Sequence, residues 1–170
     1  MAYDYDKLYG STPNALGEPT QVFVDFFKRQ SDKSLRVLDV GCGQGRDALF
    51  IARMGNSVIG VDISPHGIQE LIETARQESL DIEGFATDIV TFVPKGAFDV
   101  ILIDRTLHML LEIERLDVLE RLIHYVPRGG WVLIADERSN MQGFKDVFAK
   151  SDDIWSVELE TKGNLFYRHA

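Results

Sequence analysis

The stretch Val37-Leu38-Asp39-Val40-Gly41-Cys42-Gly43-Gln44-Gly45-Arg46-Asp47 decides the fold of this 170-residue chain. An apolar segment leads to an acid, then to three glycines separated by single residues, and then to a helical pattern. Glycine has no Cβ, so a ligand can approach the backbone closely at each of these positions. The following helix directs its N–H groups and the positive end of its dipole towards the same place. The stretch therefore predicts a nucleotide-type pocket at the first strand-to-helix turn.

The spacing of the glycines, together with the acid before them, indicates which nucleotide is bound. A dinucleotide fingerprint reads G-x-G-x-x-G, and its third glycine would fall at Arg46, whose side chain would block close packing of helix on strand. Asp39 would repel a pyrophosphate, whereas it would attract an ammonium group. We therefore expect a ligand with a cationic group near Asp39 and a ribose farther along the chain. A nicotinamide-dependent oxidoreductase stays open as a disfavoured alternative, because Asp62 follows Gly45 more closely than that fingerprint expects.

The segment from Asp39 to Gly45 resembles motif I of the class I S-adenosylmethionine-dependent methyltransferases, D-x-G-x-G-x-G. Later segments resemble further motifs of that superfamily, in order and spacing, over about residues 35 to 137. They are the second strand Val58-Ile59-Gly60-Val61-Asp62-Ile63-Ser64, the third motif Thr87-Asp88-Ile89, motif IV Phe98-Asp99-Val100-Ile101-Leu102-Ile103-Asp104, and the L-K-P-G-G turn with the fifth strand at Val126-Pro127-Arg128-Gly129-Gly130-Trp131-Val132-Leu133-Ile134.

This resemblance implies S-adenosylmethionine as the cofactor and S-adenosylhomocysteine as the product. It puts Asp39 beside the amino group of the cofactor, Asp62 on the ribose hydroxyls and Asp88 on the adenine amino group. A helix-cap role reads nearly as well for Asp88, and Ile63 would pack either on the adenine face or in the core. The implied cofactor-binding residues are Asp39, Gly41, Cys42, Gly43, Gly45, Arg46, Asp62, Ile63, Asp88, Ile89 and Asp104.

Strands and helices alternate along the chain, which predicts a parallel sheet with helices on both faces. We expect an α/β, Rossmann-like, doubly wound and mostly parallel seven-stranded sheet, closed by an antiparallel C-terminal hairpin as in that superfamily. The expected organisation is a single methyltransferase domain over residues 1–170, with an N-terminal arm and helix (1–33) that cover the pocket and a Rossmann-like core (34–170). Residues 1–18 are interpreted as an irregular arm. Helices are expected over 19–30, 46–54, 64–79, 110–126 and 144–150, and strands over 34–40, 57–62, 83–87, 98–104, 131–136 and twice within 154–170.

The composition argues against several classes of function. A formal net charge of −9 disfavours a nucleic-acid backbone as the main partner, since such binding needs a basic surface. The apolar runs are too short for a membrane span, and the N-terminus lacks the features of a signal peptide. The single cysteine, Cys42, fits a reducing, cytoplasmic setting. The histidines are scattered, so no metal site is expected, and we expect a monomer or a homodimer.

A small molecule is the expected acceptor of the methyl group. Asp104-Arg105-Thr106-Leu107 differs from the Asn/Asp-Pro-Pro-Tyr/Phe motif of enzymes that methylate nucleic-acid amino groups. The arm Tyr9-Gly10-Ser11-Thr12-Pro13-Asn14 and the loop from Gly41 to Ala52 are similar to the tellurite-resistance and thiopurine methyltransferase-like group, which implies a thiol or another chalcogen centre as acceptor. The alternative is a non-catalytic S-adenosylmethionine-binding regulatory or partner protein.

The catalytic residue stays unknown at this stage, because an activated methyl group requires mainly the alignment of the acceptor. The candidates are His108, Arg105 and Tyr9. An imidazole suits removal of a proton from a thiol, hydroxyl or amine, although a structural histidine is an equally good interpretation of His108. Arg105 and Arg46 would bind the cofactor carboxylate, an anionic substrate or neighbouring acids. Tyr9 lies in the arm that would cover the pocket.

Overall fold

The computed structural model describes residues 4–30 and 34–170. Residues 1–3 and 31–33 of the predicted N-terminal segment (1–33) therefore lie outside the described residues. The chain divides into two compact units, Met1–Phe92 and Val93–Ala170. The expectation of a single domain over residues 1–170 stays a prediction.

The strands of the first unit are parallel. Its elements in the described part are α1 (Tyr5–Ser11), α2 (Gln21–Arg29), β1 (Arg36–Val40), α3 (Arg46–Arg53), β2 (Ser57–Asp62), α4 (Pro65–Glu78) and β3 (Ile82–Ala86). Asp39 of β1 pairs with Gly60 of β2, and Asp62 of β2 pairs with Ala86 of β3. Since the strands are parallel, the glycine loop after β1 and Asp62 at the end of β2 lie at one edge of the sheet.

Helix α1 corrects the prediction of an irregular arm over residues 1–18. The side chain of Asp4 accepts a hydrogen bond from the N–H of Lys7 at 3.0 Å and so caps the helix. A helix of 7 residues has little stability of its own, and α1 packs against α4. Its formation thus depends on a tertiary contact that a local sequence pattern does not contain.

Helix α4 begins where its capping residues predict. Ser64 is the N-cap, and its hydroxyl accepts a hydrogen bond from the N–H of Gly67 at 2.9 Å. Pro65 occupies the first turn, where its missing N–H costs nothing. The predicted helix start at residue 64 is therefore confirmed to within one residue.

The second unit combines parallel and antiparallel pairing. Its elements are β4 (Val100–Asp104), a 3₁₀ turn (Leu107–Met109), α5 (Glu112–Ile123), β5 (Trp131–Ala135), a 3₁₀ turn (Arg138–Asn140), α6 (Met141–Lys150), β6 (Trp155–Glu160) and β7 (Asn164–His169). Strands β4 and β5 are parallel, whereas β7 runs antiparallel to both β5 and β6. The predicted C-terminal hairpin is confirmed.

The described strands form one mixed sheet of seven strands in the order β3-β2-β1-β4-β5-β7-β6. This order confirms the predicted fold class, a Rossmann-like and mostly parallel sheet. All five residues of β4 are buried, as are Val37, Leu38 and Val40 of β1, which is typical of strands covered on both faces. In the described ranges, no helix has the length and apolar character needed to cross a membrane.

Candidate functional site

The glycine loop after β1 is held in a conformation that favours glycine. Gly41, Gly43 and Gly45 have φ angles of 74°, 52° and 92°, all in the left-handed region. The N–H groups of Gly41 and Cys42 both donate to the carbonyl of Val61, at 2.7 Å and 3.1 Å. These bonds fold the loop over the carboxyl end of β2, so that it lies beside Asp62.

Both carboxylate oxygens of Asp62 accept backbone hydrogen bonds. The N–H of Gly43 donates to Oδ2 at 2.8 Å, and the N–H of Ser64 donates to Oδ1 at 2.8 Å. Burial raises the pKa of Asp62, and these two hydrogen bonds oppose that effect. Each oxygen retains a further lone pair, so the carboxylate is oriented and able to accept hydrogen bonds from a diol.

Asp39 and Cys42 lie beneath the loop. Asp39 is only 2% exposed, and Cys42 is buried as well. A Cβ added to Gly60 would lie 2.8 Å from the Cys42 sulfur, so the thiol fills the space that this glycine leaves open. Burial and the charge of Asp39 raise the pKa of Cys42. The thiol is therefore neutral and directed inward, and Cys42 can contact a ligand only through its backbone.

Tyr9 of helix α1 covers the loop from the other side. A Cβ added to Gly43 would lie 2.6 Å from the Tyr9 hydroxyl oxygen, and one added to Gly67 would lie 3.0 Å from the ring. Tyr9 is 7% exposed, and burial together with the charge of Asp62 raises its pKa. Tyr9 thus contacts the loop directly, and its phenol is protonated at neutral pH. That the arm covers the ligand pocket stays a prediction.

Gln44 ties the arm to the loop, a role that the sequence analysis missed. Its side-chain oxygen accepts from the N–H of Ala15 at 2.8 Å, and its amide nitrogen donates to the carbonyl of Thr12 at 2.8 Å and to Glu70 at 2.6 Å. The sequence signal that could have indicated this role is the presence of a large polar residue between two motif glycines. The hydrogen bonds of the Gln44 side chain explain why such a residue stands there. Asp6 adds a second tie by accepting a hydrogen bond from the Ser64 hydroxyl at 2.5 Å.

The predicted adenine contacts differ in their surroundings. Ile63 is 69% exposed, so the alternative of a core residue is wrong. Asp88 is exposed, and its Oδ1 accepts a hydrogen bond from the N–H of Val90 at 2.9 Å. This bond lies within a turn and no helix begins there, so the helix-cap interpretation is wrong. Ile89 is buried beside it. The Asp88 carboxylate has further lone pairs, so it can accept a hydrogen bond from a ligand without changing its conformation.

Arg46 begins helix α3 and pairs with a neighbouring acid, one of the three roles considered for it. Its Nε and Nη2 donate to Oδ2 of Asp47 at 3.1 Å and 2.9 Å. Asp47 also accepts from the N–H of Thr20 at 3.3 Å. The N-cap residue of α3 is Gly45, which has no side chain to cap the helix, so the positive end of the helix can attract an anionic group.

In the second unit, β4 ends at the remaining predicted site residues. Asp104 is buried at the last position of β4, and Arg105 is exposed. Arg105 has a φ of 52°, unusual for a residue with a side chain, and its N–H donates to the carbonyl of Ala135 at 2.7 Å. Strained backbone of this kind is common at functional sites.

His108 lies in the 3₁₀ turn after β4, next to a second acid that sequence reasoning missed. The N–H of His108 donates to Oδ2 of Asp136 at 3.1 Å, and the ring Nδ1 lies 3.8 Å from the same oxygen. Asp136 follows β5 directly, so it ends a strand in the same way as Asp62 and Asp104 do. That position was the signal that could have identified it.

The groups of S-adenosylmethionine match the residues of the first unit. The buried Asp39 suits its ammonium group, the uncapped α3 suits its carboxylate, and the oriented Asp62 suits the ribose diol. The exposed side chain of Ile63 suits an adenine face. Among the described residues, no group of three or more His, Cys, Asp or Glu side chains is arranged to hold a metal ion.

Comparisons with known proteins identify the family of the chain. A family model described as a methyltransferase domain matches residues 37–130. A relative from Geobacillus sp. (strain WCH70), named "Putative methyltransferase", is 31% identical over 167 residues, which cover 92% of this chain and 66% of the relative. The probable S-adenosyl-L-methionine-dependent methyltransferase TehB of Haemophilus influenzae is 32% identical over 100 residues, 58% of this chain and 35% of that protein.

A solved structure resembles the whole fold. Magnesium protoporphyrin IX methyltransferase from Synechocystis PCC 6803, with bound S-adenosylmethionine, has a TM-score of 0.72 and 16% sequence identity. The match covers 99% of each chain. The chain thus spans all of this structural neighbour but less than two thirds of TehB and just under two thirds of the Geobacillus relative.

Proposed function

Because the chain belongs to the class I S-adenosylmethionine-dependent methyltransferases, we propose that it transfers a methyl group to a small molecule with a thiol or another chalcogen centre. The bound S-adenosylmethionine supplies a methyl group that is already activated by its sulfonium. The chain's own task is to hold this donor in one orientation and to align the lone pair of an acceptor.

The donor role rests on the first unit. Asp62 accepts hydrogen bonds from the ribose diol while Gly43 and Ser64 hold its carboxylate in place. Asp39 attracts the ammonium group, and Tyr9 excludes water from the loop because its ring lies against Gly43 and Gly67. These contacts fix the donor through several groups at once, which limits its freedom before the reaction.

One observation in the second unit carries the proposal for the acceptor. Two residues that follow His108 in the chain, Met109 and Leu111, are 51% and 69% exposed. The side chain of His108 itself is 27% exposed. An imidazole beside apolar side chains suits an acceptor that is itself apolar and carries a removable proton, as a thiol does. The net charge of −9 disfavours a nucleic-acid acceptor.

Calorimetric titration tests the donor. Titrations with S-adenosylmethionine and with NAD should show binding of the first alone, and Asp62→Ala should weaken it about 10- to 100-fold through loss of a charged hydrogen-bond acceptor. Asp81→Ala, which removes an exposed acid of the same unit, should leave the affinity unchanged. A folded protein that binds NAD instead would contradict the proposal.

A thiol panel tests the acceptor. Incubation with S-adenosylmethionine should convert aromatic or alkyl thiols to thioethers and release S-adenosylhomocysteine. Donor binding without conversion of any thiol would favour the non-catalytic binding protein over the enzyme.

A further inference from the structure

Asp136 is a buried carboxylate that collects hydrogen bonds from three donors. Its side chain is 0% exposed. Oδ1 accepts from the N–H of Glu137 and from the side-chain amide of Asn140, each at 2.7 Å, and Oδ2 accepts from the N–H of His108 at 3.1 Å. A buried negative charge is costly unless it is well bonded, and this one is held at a fixed place beneath the turn that carries His108.

The ring of His108 presents one nitrogen to this carboxylate. Nδ1 is buried and has no hydrogen-bond partner in the described part of the chain. It lies 3.8 Å from Oδ2 of Asp136, too far for a hydrogen bond yet within the range of an ion pair. Since Nδ1 is buried and the side chain is 27% exposed, an acceptor from solvent can reach the ring only at its other edge, which carries Nε2.

We infer that Asp136 positions His108 to take the proton of a thiol acceptor, an inference that rests on the proposed function. The thiol gives its S–H proton to Nε2 of the neutral imidazole. The freed sulfur lone pair forms the new carbon–sulfur bond, the bond between the methyl group and the sulfonium breaks, and its electron pair stays on the sulfur of S-adenosylhomocysteine. The imidazolium, stabilised by Asp136 at Nδ1, then releases its proton to water.

The surroundings of the pair support an oriented base. Arg115 donates to the carbonyl of Leu110 at 2.8 Å and also to the side-chain oxygen of Asn140, which itself donates to Asp136. Arg115 thus links the end of the His108 turn to the residues that hold Asp136. A long contact between base and carboxylate is common before substrate binds and shortens when the base acquires a proton.

A purely structural role for Asp136 has different consequences. If Asp136 served only to hold the turn through the N–H of His108, its loss would impair every acceptor equally. If it acts through the imidazole, its loss matters only when the acceptor carries a proton. The charge state of the acceptor therefore separates the two roles.

The experiment compares two thiol probes of similar apolar character. 2-Phenylethanethiol keeps its proton at neutral pH, whereas 4-nitrobenzenethiol is already ionised. For the first probe we expect His108→Gln to lower kcat about 100-fold, with Asp136→Asn lowering it at least about 10-fold. For the second probe both variants should remain within about 3-fold of the unmodified chain. Glu120→Gln removes an exposed carboxylate of helix α5 in the same unit and should leave both rates unchanged.

A double variant isolates the coupling. In a His108→Gln background, Asp136→Asn should cause no further loss of kcat for 2-phenylethanethiol, because the imidazole it acts through is absent. Equal losses for both probes, or a full additional loss in the double variant, would overturn the inference. Because Asp136→Asn weakens a buried network, its melting temperature and its affinity for S-adenosylmethionine are measured beside its kcat.

The failures of the two proposals are distinguishable. A chain that does not bind S-adenosylmethionine refutes the donor role itself. A chain that binds the donor but methylates neither probe refutes the thiol acceptor, and with it the role of His108. A chain that methylates both probes with no selective effect of either variant refutes only the His108–Asp136 pair.

Discussion

Replacement of Gly45 by alanine should destabilise the first unit through two separable effects. Gly45 has a φ of 92°, a conformation that costs a residue with a Cβ about 1–2 kcal/mol. Its new Cβ would also lie 2.3 Å from Cδ1 of Leu71, a side chain with no exposed surface. Overpacking of this kind costs about 1–3 kcal/mol. We therefore expect Gly45→Ala to lower the free energy of unfolding by about 2–4 kcal/mol, allowing for the lower entropy of the unfolded alanine chain.

Gly55→Ala is the matched control for the backbone effect alone. Gly55 has a nearly identical φ of 89°, and its new Cβ would meet nothing within 4 Å. Urea denaturation of the two variants should therefore differ by the cost of the clash, about 1–3 kcal/mol. In a Leu71→Ala background, where the clashing methyl group is absent, Gly45→Ala should lose most of its excess cost over Gly55→Ala, since the nearest remaining atom is Cγ of Leu49 at 3.3 Å. Equal costs of the two glycine variants in the unmodified chain would refute the close packing of the loop on α4.

Three further predictions follow from the contacts of the first unit. Because burial raises the pKa of Asp62 above 3.8, donor affinity measured by calorimetry should fall on acidification already above pH 3.8, whereas Asp62→Asn should bind weakly at all these pH values. Gln44→Ala should speed the hydrogen exchange of the Ala15 amide and lower stability by about 1–3 kcal/mol, because the hydrogen bonds of Gln44 to Ala15 and Thr12 are lost, at about 0.5–1.5 kcal/mol each. The hydrogen bond from Ser64 is the main cause of the lowered pKa of Asp6. The stability that ionised Asp6 contributes is therefore present above pH 3.8, and it is lost as the pH falls through the lowered pKa. Asp6→Asn should therefore flatten the acid limb of the stability–pH curve, and an unchanged limb would contradict this tie between arm and loop.

The arm lies against the glycine loop of the same unit. Tyr9 lies against Gly43 and Gly67, while Gln44 and Asp6 tie the chain on both sides of it. A side chain at Gly43 would push Tyr9 away, since its Cβ would lie 2.6 Å from the Tyr9 hydroxyl oxygen. A side chain at Gly67 would clash first with the backbone of Gly43, at 2.9 Å, and also with the Tyr9 ring, at 3.0 Å. The glycines of this region thus serve the arm as well as a ligand.

Local chemistry explains which elements were predictable from sequence. The predicted strand over 57–62 is confirmed as β2, Ser57–Asp62, because a continuous buried run ends at an acid. Helix α4 was predictable because Ser64 and Pro65 mark its start. Helix α1 was not, since it depends on packing against α4 rather than on its own seven residues.

The residues of the candidate site likewise fall into those that the sequence predicted and those that it did not. Asp39, the three motif glycines and Asp62 were identified because a parallel sheet puts the ends of successive strands at one edge, so their order along the chain already indicates their place. Gln44 and Asp136 were missed, because the structural role of a buried polar side chain depends on hydrogen-bond partners that are far away in sequence. Gln44 binds Thr12, which is 32 residues away, and Asp136 binds His108, which is 28 residues away.

The sequence by itself indicated the alternating strands and helices and the glycine loop, through periodicity and the spacing of neighbouring residues. It indicated the cofactor through its resemblance to the class I S-adenosylmethionine-dependent methyltransferases. Only the tertiary structure decided that Cys42 points inward, that Ile63 lies at the surface, that the arm is helical and that His108 has a carboxylate beneath it. The physical reason is that burial and hydrogen-bond partnership are properties of distant segments brought together by folding, and no local pattern of residue types contains them.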